Sequence, residues 1–335
     1  MACRQVFVSA VDRGAVCRGT HTHTYTHTHT HTAVVLVDMN RTRWLVAVAS
    51  TDPTRCHYMT MLLKRLALAQ EQSGAAIDVH LDLQYNATDL GPLPSTLRVS
   101  TAEWDASVSY GLTSKHHAVF RRALEAGTHN FFLFTEDDLH IGPTHLDELF
   151  KLHRFLANER ALFPTLRRYE YGRGKHSKLL SDASRCCPPQ IREVKTVHGH
   201  KFIVPWNQYA AMYTLTRAKL AHAISKWETA NHPHAWDAFG QKLRFLRSLA
   251  ISGGEWGSGL WMDGLFTAVV PAVTFERFLV HHEPNNIAQR SDDLPSSTEY
   301  VETAACYRGT PLTLPTPPAK CTRTYEMKLY SRGKG

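Results

Sequence analysis

Phe131-Phe132-Leu133-Phe134-Thr135-Glu136-Asp137-Asp138 is an apolar run that breaks off into three consecutive carboxylates. A short run without alternation is the pattern of a strand covered on both faces of a parallel sheet. In open α/β sheets ligands collect outside the carboxyl ends of the strands, so these acids fall where a site belongs. Adjacent carboxylates repel one another, and a hard, oxygen-preferring cation such as Mg²⁺ or Mn²⁺ is one way to compensate them. The plainer alternative is a strand that runs into a solvated acidic turn.

Working outward, the pattern before this stretch alternates strands with helices. Trp44 to Ala49 is an apolar run closed by Ser50, Thr51 and Asp52, with Pro53 at a first helical position; Met59, Leu62, Leu63 and Leu66 then recur on one helical face. Ile77, Val79, Leu81 and Leu83 alternate as a second strand, and Leu97 to Val99 supplies a short third. Thr113 to Ala126 reads as a helix that turns Leu112, Val119, Phe120, Ala123 and Leu124 to the sheet, with Gly127 just past its end. Strand–helix alternation over residues 44–140 predicts βαβ units and a mostly parallel sheet with right-handed crossovers.

After Ile141 the pattern is irregular. A helix is expected from Thr144 to about Asn158, then a basic, Gly-rich mobile loop over Arg167 to Lys178 that includes Arg168, Arg173 and Lys175. A strand pair around Phe202 to Val204 and Ala210 to Leu215 comes next, followed by a helix capped by Thr216 that places Leu220, Ala223 and Trp227 on one side. Phe278-Leu279-Val280 ends in His281-His282-Glu283, a second strand-then-polar junction. Residues 309–318 read as an irregular Pro- and Thr-rich tail.

The chain of 335 residues is 43% hydrophobic and 20% charged, enough for a folded core in one large or two modest domains. A net charge of +8 suits phosphate-bearing ligands, acidic glycans, membranes or nucleic acid without selecting among them. The absence of zinc-finger spacing, a recognition-helix signature or a basic helix interleaved with aromatics argues against nucleic acid as a partner. Seven cysteines include no C-x-x-C pair, which speaks against structural zinc; in an oxidising lumen Cys306 and Cys321 can close a short loop, while Cys186 and Cys187 need separate partners. Asn86-Ala87-Thr88 is a glycosylation sequon.

No stretch is apolar and long enough to span a bilayer, and no signal-peptide core is visible at the amino terminus. Thr20 to Thr32 alternates Thr with His or Tyr, a low-complexity tract expected to be disordered and to point to a missing or misassigned start. The expected organisation is a disordered segment 1–40, a catalytic domain 41–300 divided into a nucleotide-sugar half 41–141 and an acceptor half 142–300, and an irregular tail 301–335.

A helix ending in Gly127, an apolar strand and then Glu136-Asp137-Asp138 resembles the metal-binding D-x-D element of GT-A-type nucleotide-sugar glycosyltransferases. The resemblance covers about residues 44–286 and is strongest over Leu112 to Ile141, with Gly111-Leu112-Thr113-Ser114-Lys115-His116-His117 ahead of the acids; Val204-Pro205-Trp206-Asn207 is similar to an acceptor-side segment of the superfamily. It implies a GT-A-like, Rossmann-like α/β fold: a mostly parallel sheet flanked by helices, with an irregular carboxyl-terminal acceptor half. It also implies Mn²⁺ (or Mg²⁺) held against the diphosphate of a UDP- or GDP-linked donor, a glycan or glycoprotein acceptor, and a Golgi or ER-lumen setting with membrane association through an anchor not visible in this chain.

Carried onto this sequence, the resemblance makes Glu136 and Asp138 metal ligands with His282 as the third, His281 being its alternative, and makes Asp137 the middle acid of the donor site. Glu136 departs from the family's commoner Asp, and its longer side chain would then reach the metal through water or contact the ribose. Lys115 and Arg121, on the helix leading to the acidic strand, are candidates to meet the diphosphate, and Asp52, at the end of the first strand, is a further candidate contact to the donor. In Gly253-Gly254-Glu255-Trp256-Gly257-Ser258-Gly259-Leu260-Trp261-Met262-Asp263 the glycines permit close backbone approach, and Trp256 can stack on a sugar. Glu255 or Asp263 is the candidate acceptor base. Trp206, Asn207 and Tyr209 are candidate acceptor contacts. The rival functions are a nucleotidyltransferase, a non-catalytic carbohydrate- or nucleotide-sugar-binding protein of the same fold, and metal storage by the histidine tract.

Overall fold

Residues 43–50 and 131–136 are almost wholly apolar because helices cover both faces of the sheet they form. The computed structural model describes residues 42–105, 112, 115–172, 178–181, 191–205, 211–229 and 266–284. In chain order β1 (Arg43–Ser50), α1 (Cys56–Ser73), β2 (Ala76–Leu83), β3 (Arg98–Glu103), α2 (His116–Glu125) and β4 (Phe131–Glu136) make the first half. α3 (Pro143–Phe155), β5 (Leu162–Pro164), β6 (Arg167–Tyr171), β7 (Lys178–Leu180), β8 (Ile191–Val197), β9 (His200–Pro205), β10 (Met212–Thr216), α4 (Arg217–Thr229), β11 (Thr267–Pro271) and β12 (Leu279–His281) follow.

The main sheet has the order β10-β4-β1-β2-β3; β4, β1, β2 and β3 are parallel and β10 closes the edge antiparallel to β4. The strand order reverses direction between β1 and β4, whose register pairs Ala49 with Glu136. Crevices form at such a switch point, and the carboxyl ends of both strands open onto it. This is a mixed α/β, Rossmann-like fold, as the alternating pattern predicts.

The helices divide the core into two layers. On one side Met59, Leu62, Leu63 and Leu66 of α1 and Leu146, Leu149 and Phe150 of α3 pack on Trp44, Val46, Val48 and Leu133. On the other, Phe120 and Ala123 of α2 and Leu220 and Ala223 of α4 pack on Leu45, Ala47, Phe132, Phe134 and Tyr213. Successive residues of β1 and β4 therefore face different helices, while the edge strand β3 is largely exposed. Asp52 caps a 3₁₀ turn, Pro53–Arg55, from which α1 continues. Gly127, at φ +64°, leads the chain from α2 towards β4 in the left-handed conformation that favours glycine.

Several sequence expectations are corrected. Arg167 to Lys178 is not a loop throughout: β6 and β7 pair antiparallel, and Arg167, Arg168 and Glu170 are buried. Two of these charges meet opposite charges inside, Arg168 beside Glu136 and Glu170 against His282. The Phe202–Val204 and Ala210–Leu215 strands do not pair with each other; β9 lies between β8 and β11, and β10 joins the main sheet. The third strand runs to Glu103 rather than stopping at Val99. Thr216 does cap its helix, accepting from the Lys219 amide at 3.3 Å.

Candidate functional site

The site grows from two strand ends and one returning segment. After β4 the chain turns through Asp137 and Asp138, while β12 runs parallel to β6 and delivers His282 opposite Leu139. Three backbone hydrogen bonds lock this junction: His140 N–H to His281 O at 2.9 Å, Glu283 N–H to Asp138 O at 2.9 Å and His282 N–H to Tyr169 O at 2.9 Å. The acidic turn and the His-His-Glu segment, 144 positions apart in sequence, are thus held by main chain.

Asp137 and Asp138 are buried, at 2% and 3% exposure, and Glu136 is partly exposed. His282 Nε2 lies 3.0 Å from Asp138 Oδ2, and its Nδ1 hydrogen-bonds Glu170 Oε1. Arg55, from the turn after β1, pairs with Asp138 and sits 3.1 Å from Asp137 Oδ1. Arg168 Nη1 approaches Glu136 Oε2 at 4.0 Å. Behind the acids the Tyr85 hydroxyl donates to Ser50 Oγ at 3.0 Å, and Ser50 donates to Asp137 Oδ2.

These neighbours shift the protonation equilibria in opposite directions. Burial pushes Asp137 up to about 7 against the pull of Arg55. For Asp138 burial works the same way but is outweighed by the hydrogen bond and charge of His282, with Arg55 and Arg168 adding, so its carboxyl lies below the usual range. Burial disfavours the His282 imidazolium, yet the bonds to Asp138 and Glu170 outweigh it and raise His282 to about 9. Protein cations, two arginines and the His282 imidazolium, thus stand against the acidic turn where the sequence leads us to expect a divalent ion or bulk solvent.

The same residues also fit a divalent ion. Asp138 Oδ1 is buried without a hydrogen-bond partner, and Glu170 holds the far nitrogen of His282 so that Nε2 faces the acids. A carboxylate on the remote nitrogen is the arrangement that orients metal-ligating imidazoles. Asp138, His282 and Glu136 would hold the ion, and Arg55 is the cation that an ion there would compete with.

Of the residues expected at the site, Glu136, Asp137, Asp138 and His282 are brought together. Asp52 accepts from Thr54 N at 2.9 Å and Thr54 Oγ1 at 2.7 Å as a turn cap; those bonds, with Arg55 nearby, hold its carboxyl below the usual range. Lys115 Nζ lies 3.8 Å over the Trp104 ring, and Arg121 is exposed on α2. The cations seen on the acids are instead Arg55 and Arg168, neither in the expected set; Glu170 and Ser50 were missed as well. Trp206, Asn207, Tyr209, Glu255, Trp256 and Asp263 lie outside the described residues, as do Cys186, Cys187, Cys306 and Cys321. Asn86 is exposed and accepts from Thr88 N and Oγ1, so the sequon forms a capped turn. No helix among the described residues is long and apolar enough to cross a membrane.

No protein-family model matches the chain, and no curated protein matches it. Among solved structures it is similar to S. aureus TarS 1-349, at 15% identity and a TM-score of 0.32. That match covers 62% of this chain, which spans about half of the matched one, 55%.

Proposed function

We propose that the crevice at the β1/β4 switch point binds a nucleotide-diphosphate-linked sugar and that the protein transfers the sugar to a hydroxyl acceptor with Mn²⁺ or Mg²⁺ assistance. The observation that carries this reading is the convergence on Asp138. A buried carboxylate with one idle oxygen faces an imidazole oriented by a second buried carboxylate, at the place where this class of sheet binds ligands. When bound, the ion neutralises charge that develops on a departing diphosphate.

The protein's own groups divide the rest of the work. Arg55 stands at the start of α1, where a helix amino terminus and a guanidinium both favour a phosphate. Drawn to a diphosphate, Arg55 would leave Asp137 and Asp138, so donor and metal binding reinforce each other. Ser50 and Tyr85 fix the back of Asp137 and keep the acidic turn from collapsing into the crevice. Proton removal from the acceptor falls to Glu255 or Asp263, with Trp206, Asn207 and Trp256 as acceptor contacts. A Golgi or ER-lumen setting and a glycan or glycoprotein acceptor belong to the same reading.

Thermal-shift and calorimetric titration with UDP- and GDP-linked sugars, with and without Mn²⁺, test it. Stabilisation by a donor in the presence of Mn²⁺, and its loss in Asp138→Asn, is the expected result. A donor response that is indifferent to both metal and Asp138→Asn rejects the metal-assisted site. Donor binding without hydrolysis or transfer to any acceptor leaves a binding protein of the same fold in place of an enzyme.

A further inference from the structure

His282 turns towards Asp138, and the residues on either side of it turn the other way. In an extended segment successive side chains point to opposite faces, so His281 and Glu283 share one face. His140 lies beside them, its backbone N–H bonded to His281 O across the junction. His140 Nδ1 is 3.2 Å from Glu283 Oε1 and His281 Nδ1 is 3.6 Å from Glu283 Oε2; a ligand atom from each of the three lies within 4.8 Å of the others. An ion about 2.05 Å from each ligand of a tetrahedron sets those ligands about 3.3 Å apart. The two imidazole–carboxylate separations, one to each Glu283 oxygen, are close to that edge, and small side-chain adjustments would bring the three ligand atoms onto one ion.

We propose that His140, His281 and Glu283 form a second divalent-metal site, selective for Zn²⁺ or a similar borderline ion. Two imidazoles and one carboxylate are a recurrent ligand set for an ion that keeps a fourth position for water. Here the half-exposed His140 side chain, 47% accessible, leaves that position open to solvent. The supporting shell is in place: Arg65 Nη2 holds Glu283 Oε1 at 2.7 Å, and the rings of Tyr169 and Tyr171, 5.3 and 5.1 Å away, frame His281. Such an ion pins the turn carrying Asp138 to the segment carrying His282. The site thereby braces the proposed donor site from outside without sharing a ligand with it, and the proposal stands whether or not the chain is a glycosyltransferase.

Co²⁺ is the probe, because four-coordinate Co²⁺ absorbs strongly in the visible and six-coordinate Co²⁺ weakly. The full chain is used with His21, His23, His27, His29 and His31 replaced by Asn, which removes binding by the amino-terminal tract. One Co²⁺ with a four-coordinate spectrum, displaced by Zn²⁺, is expected. His140→Ala and Glu283→Gln should each weaken it by at least about 10–100-fold, and Asp138→Asn should leave it intact. His140 is exposed, so its removal does not threaten the fold, and far-UV circular dichroism checks each variant. A four-coordinate spectrum that survives His140→Ala and Glu283→Gln, or that disappears only in Asp138→Asn, overturns the proposal. So does the absence of that spectrum, which leaves an ion-pair cluster around Arg65.

Discussion

Glu170 has no exposed surface, and its carboxylate bonds His282 Nδ1. Its position makes it a positioning residue: it touches no ligand and sets which imidazole nitrogen faces the acids. Glu170→Gln keeps the size and gives up the charge, so the ring loses the partner that raises its basicity. On the proposed function, the expected outcome is a Mn²⁺ response weakened about 10–100-fold, together with a stability loss of about 1–3 kcal/mol from an imperfectly satisfied buried group. Urea denaturation of the metal-free protein measures the second effect and Mn²⁺ calorimetry the first. An equal loss of stability with an intact Mn²⁺ affinity makes Glu170 a packing residue only. Glu170 was not legible in the sequence because Arg167-Arg168-Tyr169-Glu170 is charged enough to pass for a loop, and nothing local shows that its partner is 112 positions away. Asp138 and His282 were legible because each follows an apolar run, and strand ends are where sheet proteins place their chemistry.

At the scale of the element, backbone conformation makes the sharper prediction. β8 and β9 are joined by His198 and Gly199, both at positive φ (47° and 81°), with Val197 opposite His200. Two such residues between paired strands form a type I′ turn, whose twist matches that of the hairpin. Gly199→Ala meets no atom within 4 Å, so its cost is conformational alone, about 1–2 kcal/mol. Gly142 also meets nothing within 4 Å but has φ −138°, so Gly142→Ala brings no backbone strain and costs only what alanine loses to glycine as the N-cap of α3, under about 1 kcal/mol. Comparing the two melting temperatures separates backbone strain from side-chain space, and equal shifts refute the turn assignment. This hairpin shows why the second half was harder to read than the first. β1, β2 and β4 declare themselves through apolar runs or alternation because both faces are covered. A His-Gly turn lacks the usual Asn-Gly or Asp-Gly signature. β10 lies at the edge of the main sheet, paired antiparallel with β4, a long-range contact that no local periodicity encodes.

For the whole molecule, buried histidines of lowered basicity contribute to the response to acid. His153 is buried between α3 and the sheet, its Nε2 on Thr214 Oγ1 and its Nδ1 without a partner. Burial, with the nearby Lys219 ammonium, holds it well below the ordinary imidazole range. His145 accepts from the Gly142 amide at Nδ1 (3.1 Å) and donates from Nε2 to Leu279 O (3.0 Å), which fixes one neutral tautomer between α3 and β12; burial lowers it too. Protonating either ring in the folded state is costly, whereas the unfolded chain takes up both protons near pH 6.5. Between pH 6.5 and the lowered folded values the unfolded state binds more protons, so stability falls as pH falls, by up to about 1.4 kcal/mol per pH unit for each ring. Above pH 6.5 neither ring contributes a pH dependence. The raised groups at the acidic turn act in the opposite sense: His282, at about 9, adds stability as pH falls towards 6.5, and Asp137, at about 7, adds it as pH falls towards its unfolded value. The two buried rings are therefore read by comparing the midpoints of variant and parent metal-free protein at pH 7.5, 6.5 and 5.5. His153→Leu removes one of these bases, so between pH 6.5 and 5.5 its stability should change less unfavourably than that of the parent, by up to about 1.4 kcal/mol, whatever its effect at pH 7.5. The same change in stability between pH 6.5 and 5.5 in His153→Leu and in the parent assigns the acid sensitivity to other groups.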